Sequence, residues 1–293
     1  MMALKPTRSF MFVPGNKESM IEKSAGARAD ALILDLEDSV PPAEKVEARA
    51  LVAGKIDWLV EKGQRVYVRI NRSPHLYDLD DLLAVVRAGV EGIYISKPNG
   101  YEDVVTASSM IAEAESRKGL AVGTLGLIPL LETAKALQDA YEIACVPRVT
   151  AIVGATAKNA DVARALHTVW SAEGRETLYL KSRIVMAARA AGKRPIGGVW
   201  QQIRDLDGLR ASSLKDRALG MDGELALHPS NVPIINQVYS PSAEDVAYYR
   251  GMIAALEEAQ AQGRASAVYA GEHIDIAHVK TAQDIIALAE AFD

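Results

Sequence analysis

A single cysteine, Cys145, occurs in 293 residues, so no internal disulfide framework can form and a reducing compartment, the cytoplasm, is the expectation. Positive charge is not in excess. Lys and Arg number 33 against 38 Asp and Glu, a net charge of −5 that argues against a general nucleic-acid binder. No apolar run approaches the roughly 18 residues that span a bilayer, so no membrane partner is expected. The opening stretch MMALKPTRSF has no apolar core of the kind a secretion signal carries. No GxGxxG opens a helix after the first apolar run, which weakens a dinucleotide-binding reading. Internal repeats, low-complexity tracts and sustained heptads are also missing.

What is present is ordinary globular material, 49% apolar and 24% charged, in a length that suits one large domain or two ordinary ones. Short apolar runs alternate with helical stretches almost throughout. The runs are Ser9–Val13, Ala31–Leu36, Arg65–Ile70, Gly92–Ser96, Leu125–Leu131, Val149–Gly154, Ile196–Trp200 and Gly223–Leu227. ALIL and GLIPLL are continuously apolar, as strands are when both faces of a parallel sheet are covered. Between them, Ala43–Ala53, Leu79–Ala88, Asp103–Ser116, Ala134–Ala144, Thr177–Ala191 and Asp207–Ala218 have apolar residues at helical spacing. Eight such units are the arithmetic of an α/β fold of the (β/α)8 TIM-barrel type; an open doubly wound sheet is the alternative.

After Pro229 the pattern changes. Ser242 is a candidate N-cap for a long helix, Ala243–Gln262, and a last helix runs from Ile276 to Phe292. The expected organisation is a barrel over residues 1–238 and a C-terminal helical extension over 239–293, acting as a lid or an intersubunit element.

Chemistry in such a barrel sits at the C-terminal ends of the strands. Asp35, Glu37 and Asp38 follow the second strand, Arg69 and Asn71 the third, Lys97 the fourth, Glu132 the fifth, Lys158 and Asp161 the sixth, and His228 the eighth. The three acids read either as helix caps and solvated loop or as a site. Asp35 and Glu37 share one side-chain phase, and two like charges so close need a cation or a base. A lone carboxylate at Glu132, ending an apolar run, needs a partner or a metal. Oxygen ligands without a His–Cys cluster suit a hard cation such as Mg2+. Arg69 and Lys97 read either as ordinary salt-bridge partners of those acids or as captors of an anionic substrate. His228 fits a strand-to-helix turn as well as an acid–base role. Cys145 reads as a buried structural thiol, and Trp58, Trp170 and Trp200 as packing.

The segments RSFMFVPGN (Arg8–Asn16), LILDLEDSVPPAEK (Leu32–Lys45), VRIN (Val68–Asn71), SKP (Ser96–Pro98), PLLETAKAL (Pro129–Leu137), LYLKSRIVMAARAAG (Leu178–Gly192), GELALHPSNVPIIN (Gly223–Asn236) and YSPSAEDV (Tyr239–Val246) occur in that order. Together they resemble the HpcH/HpaI aldolase and citrate lyase β-subunit (CitE-like) family over nearly the whole chain. The resemblance implies a TIM barrel and a Mg2+-dependent carbon–carbon lyase, with Mn2+ as the substitute metal. Its substrate would be a short β-hydroxyacyl thioester of the malyl-, citramalyl- or citryl-CoA type, with CoA as part of that substrate. Glu132 and Asp161 would be the metal ligands, and Glu37 and Asp38 would support the metal through water. Arg69, with Lys97 and Glu132, would bind the substrate. GEHIDI (Gly271–Ile276) looks like the family's C-terminal element, whose aspartate, Asp275 here, reaches a neighbouring subunit's site as acid or base in a homotrimer.

Two departures stand out. The family's G-x-x-D after the sixth strand is Gly154-Ala155-Thr156-Ala157 here, with Asp161 four residues later, and Gly197-Gly198 stands where relatives often carry an Asp. Either Asp161 takes the ligand's place, as its distance to the LYLKSR helix favours, or the ligand is lost and Asp161 sits in the following helix. Two alternatives follow: a CoA-independent hydroxy-oxo-acid aldolase, and a non-catalytic subunit of a larger lyase complex.

Overall fold

The computed structural model describes residues 6–292; the first five residues of the stretch inspected for a secretion signal lie outside it. Eight strands, β1 (Ser9–Pro14), β2 (Ala31–Asp35), β3 (Val66–Ile70), β4 (Val90–Ile95), β5 (Gly126–Pro129), β6 (Ala151–Gly154), β7 (Arg194–Val199) and β8 (Glu224–Ala226), pair in parallel in the order β5-β4-β3-β2-β1-β8-β7-β6. Parallel bridges Leu127–Val149 and Leu130–Val153 bring the two ends of that order together, with the Leu131 amide donating to the Val153 carbonyl at 3.0 Å. The ring is a (β/α)8 barrel. Closure removes the two unpaired edges that an open sheet would expose.

Alternate residues on each strand point inward. Phe10, Tyr67 and Tyr94 fill the middle in edge-to-face contacts, with ring centroids 5.6, 5.7 and 6.0 Å apart. They pack with Ile33, Leu130 and Val153, among others. The same phase carried two residues toward the C-terminal ends turns Asp35 inward after Ile33, Arg69 after Tyr67, Ser96 after Tyr94 and Glu132 after Leu130. Four polar side chains therefore roof an apolar interior.

The outer layer is helical, and it differs from the sequence reading in three places. The expected helix Ala134–Ala144 is two, Ala134–Gln138 and Ala140–Cys145. At the junction the Asp139 carboxylate accepts from the Tyr101 amide at 3.1 Å and pairs with Lys135 Nζ at 2.5 Å. Cys145 ends the second piece and is exposed, not buried, because the helix turns Ile143 and Ala144 inward instead. Three short helices, Glu18–Ser24, Asp161–Leu166 and Val232–Tyr239, are absent from the sequence reading.

The chain divides into two compact units, one of residues 7–236 and one of Pro6 with residues 237–292. In the second, helices Ala243–Ala261 and Ile276–Glu290 share a core of Met252, Leu256, Ile274 and Ala282 with a two-stranded hairpin, Ala267–Tyr269 and Glu272–Ile274. Ser242 caps the first of these helices in a capping box with Asp245. No helix among the described residues is long and apolar enough to cross a membrane.

Candidate active site at the C-terminal rim of the barrel

Asp35 and Arg69 face each other across the β2–β3 register. Arg69 donates Nε–H to Asp35 Oδ1 and Nη2–H to Oδ2, each at 2.7 Å, a two-pronged pair that is almost wholly buried. The Glu37 and Ser39 amides donate to the same two oxygens at 2.9 and 3.1 Å. Burial pushes the Asp35 carboxyl up, but the Arg69 pair and these hydrogen bonds outweigh it and hold the group below its ordinary value. Arg69 Nη1 reaches Glu37 Oε2 at 3.0 Å, and the guanidinium lies 4.6 Å from the Phe12 ring centroid. Two of its five N–H groups are thus hydrogen-bonded to Asp35, while Nη1 is paired with Glu37 by charge.

Lys97 Nζ bridges Glu37 Oε1 at 2.6 Å and Asp38 Oδ2 at 2.7 Å. Its backbone sits at φ +51°, a left-handed conformation costly for a residue with a side chain and of the sort that clusters at functional sites. Desolvation opposes its charge, yet the two carboxylates raise its pKa above the ordinary lysine value. Arg69 and Lys97 therefore offset two of the acidic triplet's three charges. The salt-bridge reading of these residues describes the contacts found, and the site reading must work with what those contacts leave over.

Glu132 is different. Its Oε2 is buried with no hydrogen-bond partner among the described residues. Burial lifts its carboxyl from 4.5 to about 7, with Arg69 and Lys97 pulling it down and Glu37 and Asp161 pushing it up. Asp161 is the first residue of the helix Asp161–Leu166, close enough for its charge to act on Glu132, and its carboxylate is held by Arg164 one turn on. Among the described residues no three His, Cys, Asp or Glu side chains gather as a metal site. Two carboxylates, one with an orphaned oxygen, nevertheless fit a hard cation that keeps most of its waters or shares ligands with a substrate.

The glycine departures have a steric cause. A Cβ on Gly198 would lie 2.8 to 3.0 Å from the backbone of Thr156 and Gly154, so only glycine lets the segment after β6 pass this close to β7. A cavity of about 350 Å³ opens beside that segment, lined by Val162, Trp170, Lys181 and Trp200 among others; neither Arg69 nor Glu132 lines it. Ser96 also belongs to the roof. It is fully buried with an unpartnered hydroxyl, and only the inward phase of Tyr94 could have marked it.

His228 caps its own turn, its Nδ1 2.7 Å from Ser230 Oγ and accepting the Ser230 amide at 3.2 Å, which is the turn reading. In the second unit, Asp275 caps the helix Ile276–Glu290, accepting the Ala277 amide at 2.9 Å and meeting His278 Nδ1 at 2.8 Å. The His278 contact, with that amide, holds the Asp275 carboxyl below its ordinary value.

The model of the HpcH/HpaI aldolase/citrate lyase family matches residues 8–229. A (3S)-malyl-CoA thioesterase of Cereibacter sphaeroides is 34% identical over 287 residues, covering 98% of this chain and 95% of the relative. An L-malyl-CoA/β-methylmalyl-CoA lyase of the same species is 32% identical, covering 98% and 95%. The solved citrate lyase β subunit of M. tuberculosis, complexed with oxaloacetate and magnesium, superposes with a TM-score of 0.62 at 25% identity, covering 80% of this chain and 98% of that one. The chain belongs to the HpcH/HpaI aldolase/citrate lyase family.

Proposed function

We propose that this family member is a Mg2+-dependent carbon–carbon lyase that splits a short β-hydroxyacyl-CoA, of the malyl-, citramalyl- or citryl-CoA type, into an acyl-CoA and an oxo acid. The observation that carries the reading is Glu132: a carboxylate at a barrel strand end with an unpartnered oxygen, its proton held to about pH 7, and the charge of Asp161 acting on it. A divalent cation bound by Glu132 and Asp161 would supply Lewis-acid polarisation of the acid's oxygens. The names of the relatives, a malyl-CoA lyase and a magnesium-bound citrate lyase subunit, support this substrate class and metal.

Arg69 is the electrostatic element. Asp35 and Glu37 lock its guanidinium, so its N–H groups not bonded to Asp35 meet a carboxylate or a developing oxyanion without reorganisation. Lys97, Glu37 and Asp38 form the polar wall beside it. In cleavage the substrate hydroxyl loses its proton, the carbon–carbon bond breaks, and the thioester enolate carbon gains a proton. Asp275 from a neighbouring copy is the residue for proton transfer. In this reading protonated Asp275 gives the enolate carbon its proton, working against the carboxylate form that the His278 contact favours. That role requires an oligomer, a homotrimer in our reading, and mass by light scattering tests it; a monomer removes it.

A second reading is favoured by the thioesterase relative: hydrolysis of the thioester instead of cleavage of the carbon chain. Incubating 3-hydroxyacyl-CoA esters with Mg2+ separates the two. A lyase releases an oxo acid and keeps the thioester; a thioesterase releases free CoA thiol and the intact hydroxy acid. Glu132→Ala is expected to abolish either metal-dependent reaction with the fold retained, and wild-type turnover in that variant would overturn the proposal.

A further inference from the structure

We propose that Arg164 is a built-in counter-ion that competes with a divalent cation for Asp161, so that this residue lowers the cation's apparent affinity. The inference rests on the metal reading above and adds to it a residue that reading does not use. Arg164 Nη2 pairs with Asp161 Oδ1 within the single helix Asp161–Leu166, three residues apart. The guanidinium is 78% exposed while the carboxylate is 23% exposed, so the arginine reaches inward from solvent to the acid. Among the described residues it bonds no other side chain. The other cation of this segment, Lys158, lies 4.7 Å from the Trp170 ring centroid and bonds no carboxylate among the described residues.

The competition is one of charge and of geometry. An arginine fork and a metal ion seek the same carboxylate charge, and each weakens the other's hold on Asp161. With Arg164 seated on Oδ1, Asp161 offers Oδ2 from a carboxylate whose charge is already partly met, beside the orphaned oxygen of Glu132. With Arg164 swung into solvent, the whole Asp161 carboxylate is open to the ion. Because an exposed pair is weak, the displacement costs little and the site stays loadable. The four residues by which Asp161 falls late in the chain thus place it on a helical turn that also carries its own cation.

Calorimetric titration of the full chain with Mg2+, after dialysis against chelator, tests this without reference to turnover. Arg164→Gln is expected to tighten binding by about two- to fivefold, the worth of one exposed ion pair. Lys158→Gln removes an equal charge nearby without touching Asp161 and is expected to leave the affinity close to wild type. Equal affinity in Arg164→Gln and wild type overturns the inference, as does equal tightening in both variants, which would assign the effect to general charge. Failure of the underlying metal reading looks different: wild type that takes up no Mg2+, or Asp161→Asn that binds as wild type does.

Discussion

Replacing Glu132 by Gln should stabilise the metal-free protein at alkaline pH while destroying its hold on a divalent cation. The magnitude follows from burial. The unfolded chain releases the Glu132 proton near its ordinary value of 4.5, whereas the folded chain retains it to about 7. Below the unfolded value both states are protonated and the group adds no pH dependence. Between the two values only the folded state holds the proton, so stability falls as pH rises, and the loss is complete once pH passes the folded value. At roughly 1.4 kcal/mol per pH unit the cost is on the order of 3 kcal/mol. In a protein of this size that corresponds to about 6–12 °C in melting temperature. Glutamine keeps the shape and never ionises. In chelator the two proteins should therefore melt together at about pH 4 and separate at about pH 8, the variant higher. Adding Mg2+ should then raise the melting temperature of wild type and leave the variant unmoved, since a ligand confined to the folded state stabilises it by mass action. Coincident melting curves at the higher pH would refute the claim that Glu132 is a charge stored in a dry place. An equal Mg2+ shift in both proteins would remove it from the metal site.

Arg69→Ala strands the buried Asp35 carboxylate, and urea denaturation should show a loss of about 3–5 kcal/mol; a loss under about 1 kcal/mol would mean that water reaches Asp35 in the folded state. Gly198→Ala drives a Cβ into the Thr156 and Gly154 backbone. It should cost about 1–3 kcal/mol and weaken Mg2+ binding by moving the segment that leads to Asp161; unchanged calorimetry would uncouple the two. Cys145, being exposed, should react with a thiol reagent in the folded protein, and Cys145→Ser should shift stability by less than about 0.5 kcal/mol. Labelling that waits for unfolding would contradict its placement.

The barrel was legible because its signals are local. Continuous apolar runs such as Ala31–Leu34, separated by amphipathic stretches, reflect strand and helix periods that each segment carries alone, and the strands fall within a few residues of where those runs lie. Boundaries differ where distant groups meet the chain: the helix expected across Ala134–Ala144 divides at Asp139, whose carboxylate accepts from the Tyr101 amide. Cys145 was misjudged for a related reason, since a residue at a helix end is turned in or out by the packing of its neighbours.

The sequence by itself determined which residues gather at the rim, for strand ends and side-chain phase are properties of the local chain, and the order of motifs placed the protein in its family. Only the tertiary structure decided what state those residues are in. Asp35 and Arg69 are 34 positions apart and become a closed pair through the β2–β3 register. Lys97 spans to Glu37 from two strands away, and Glu132 is left with an oxygen that nothing satisfies. Charge balance and desolvation are sums over everything within a few ångströms, and such a sum exists only once the barrel has closed.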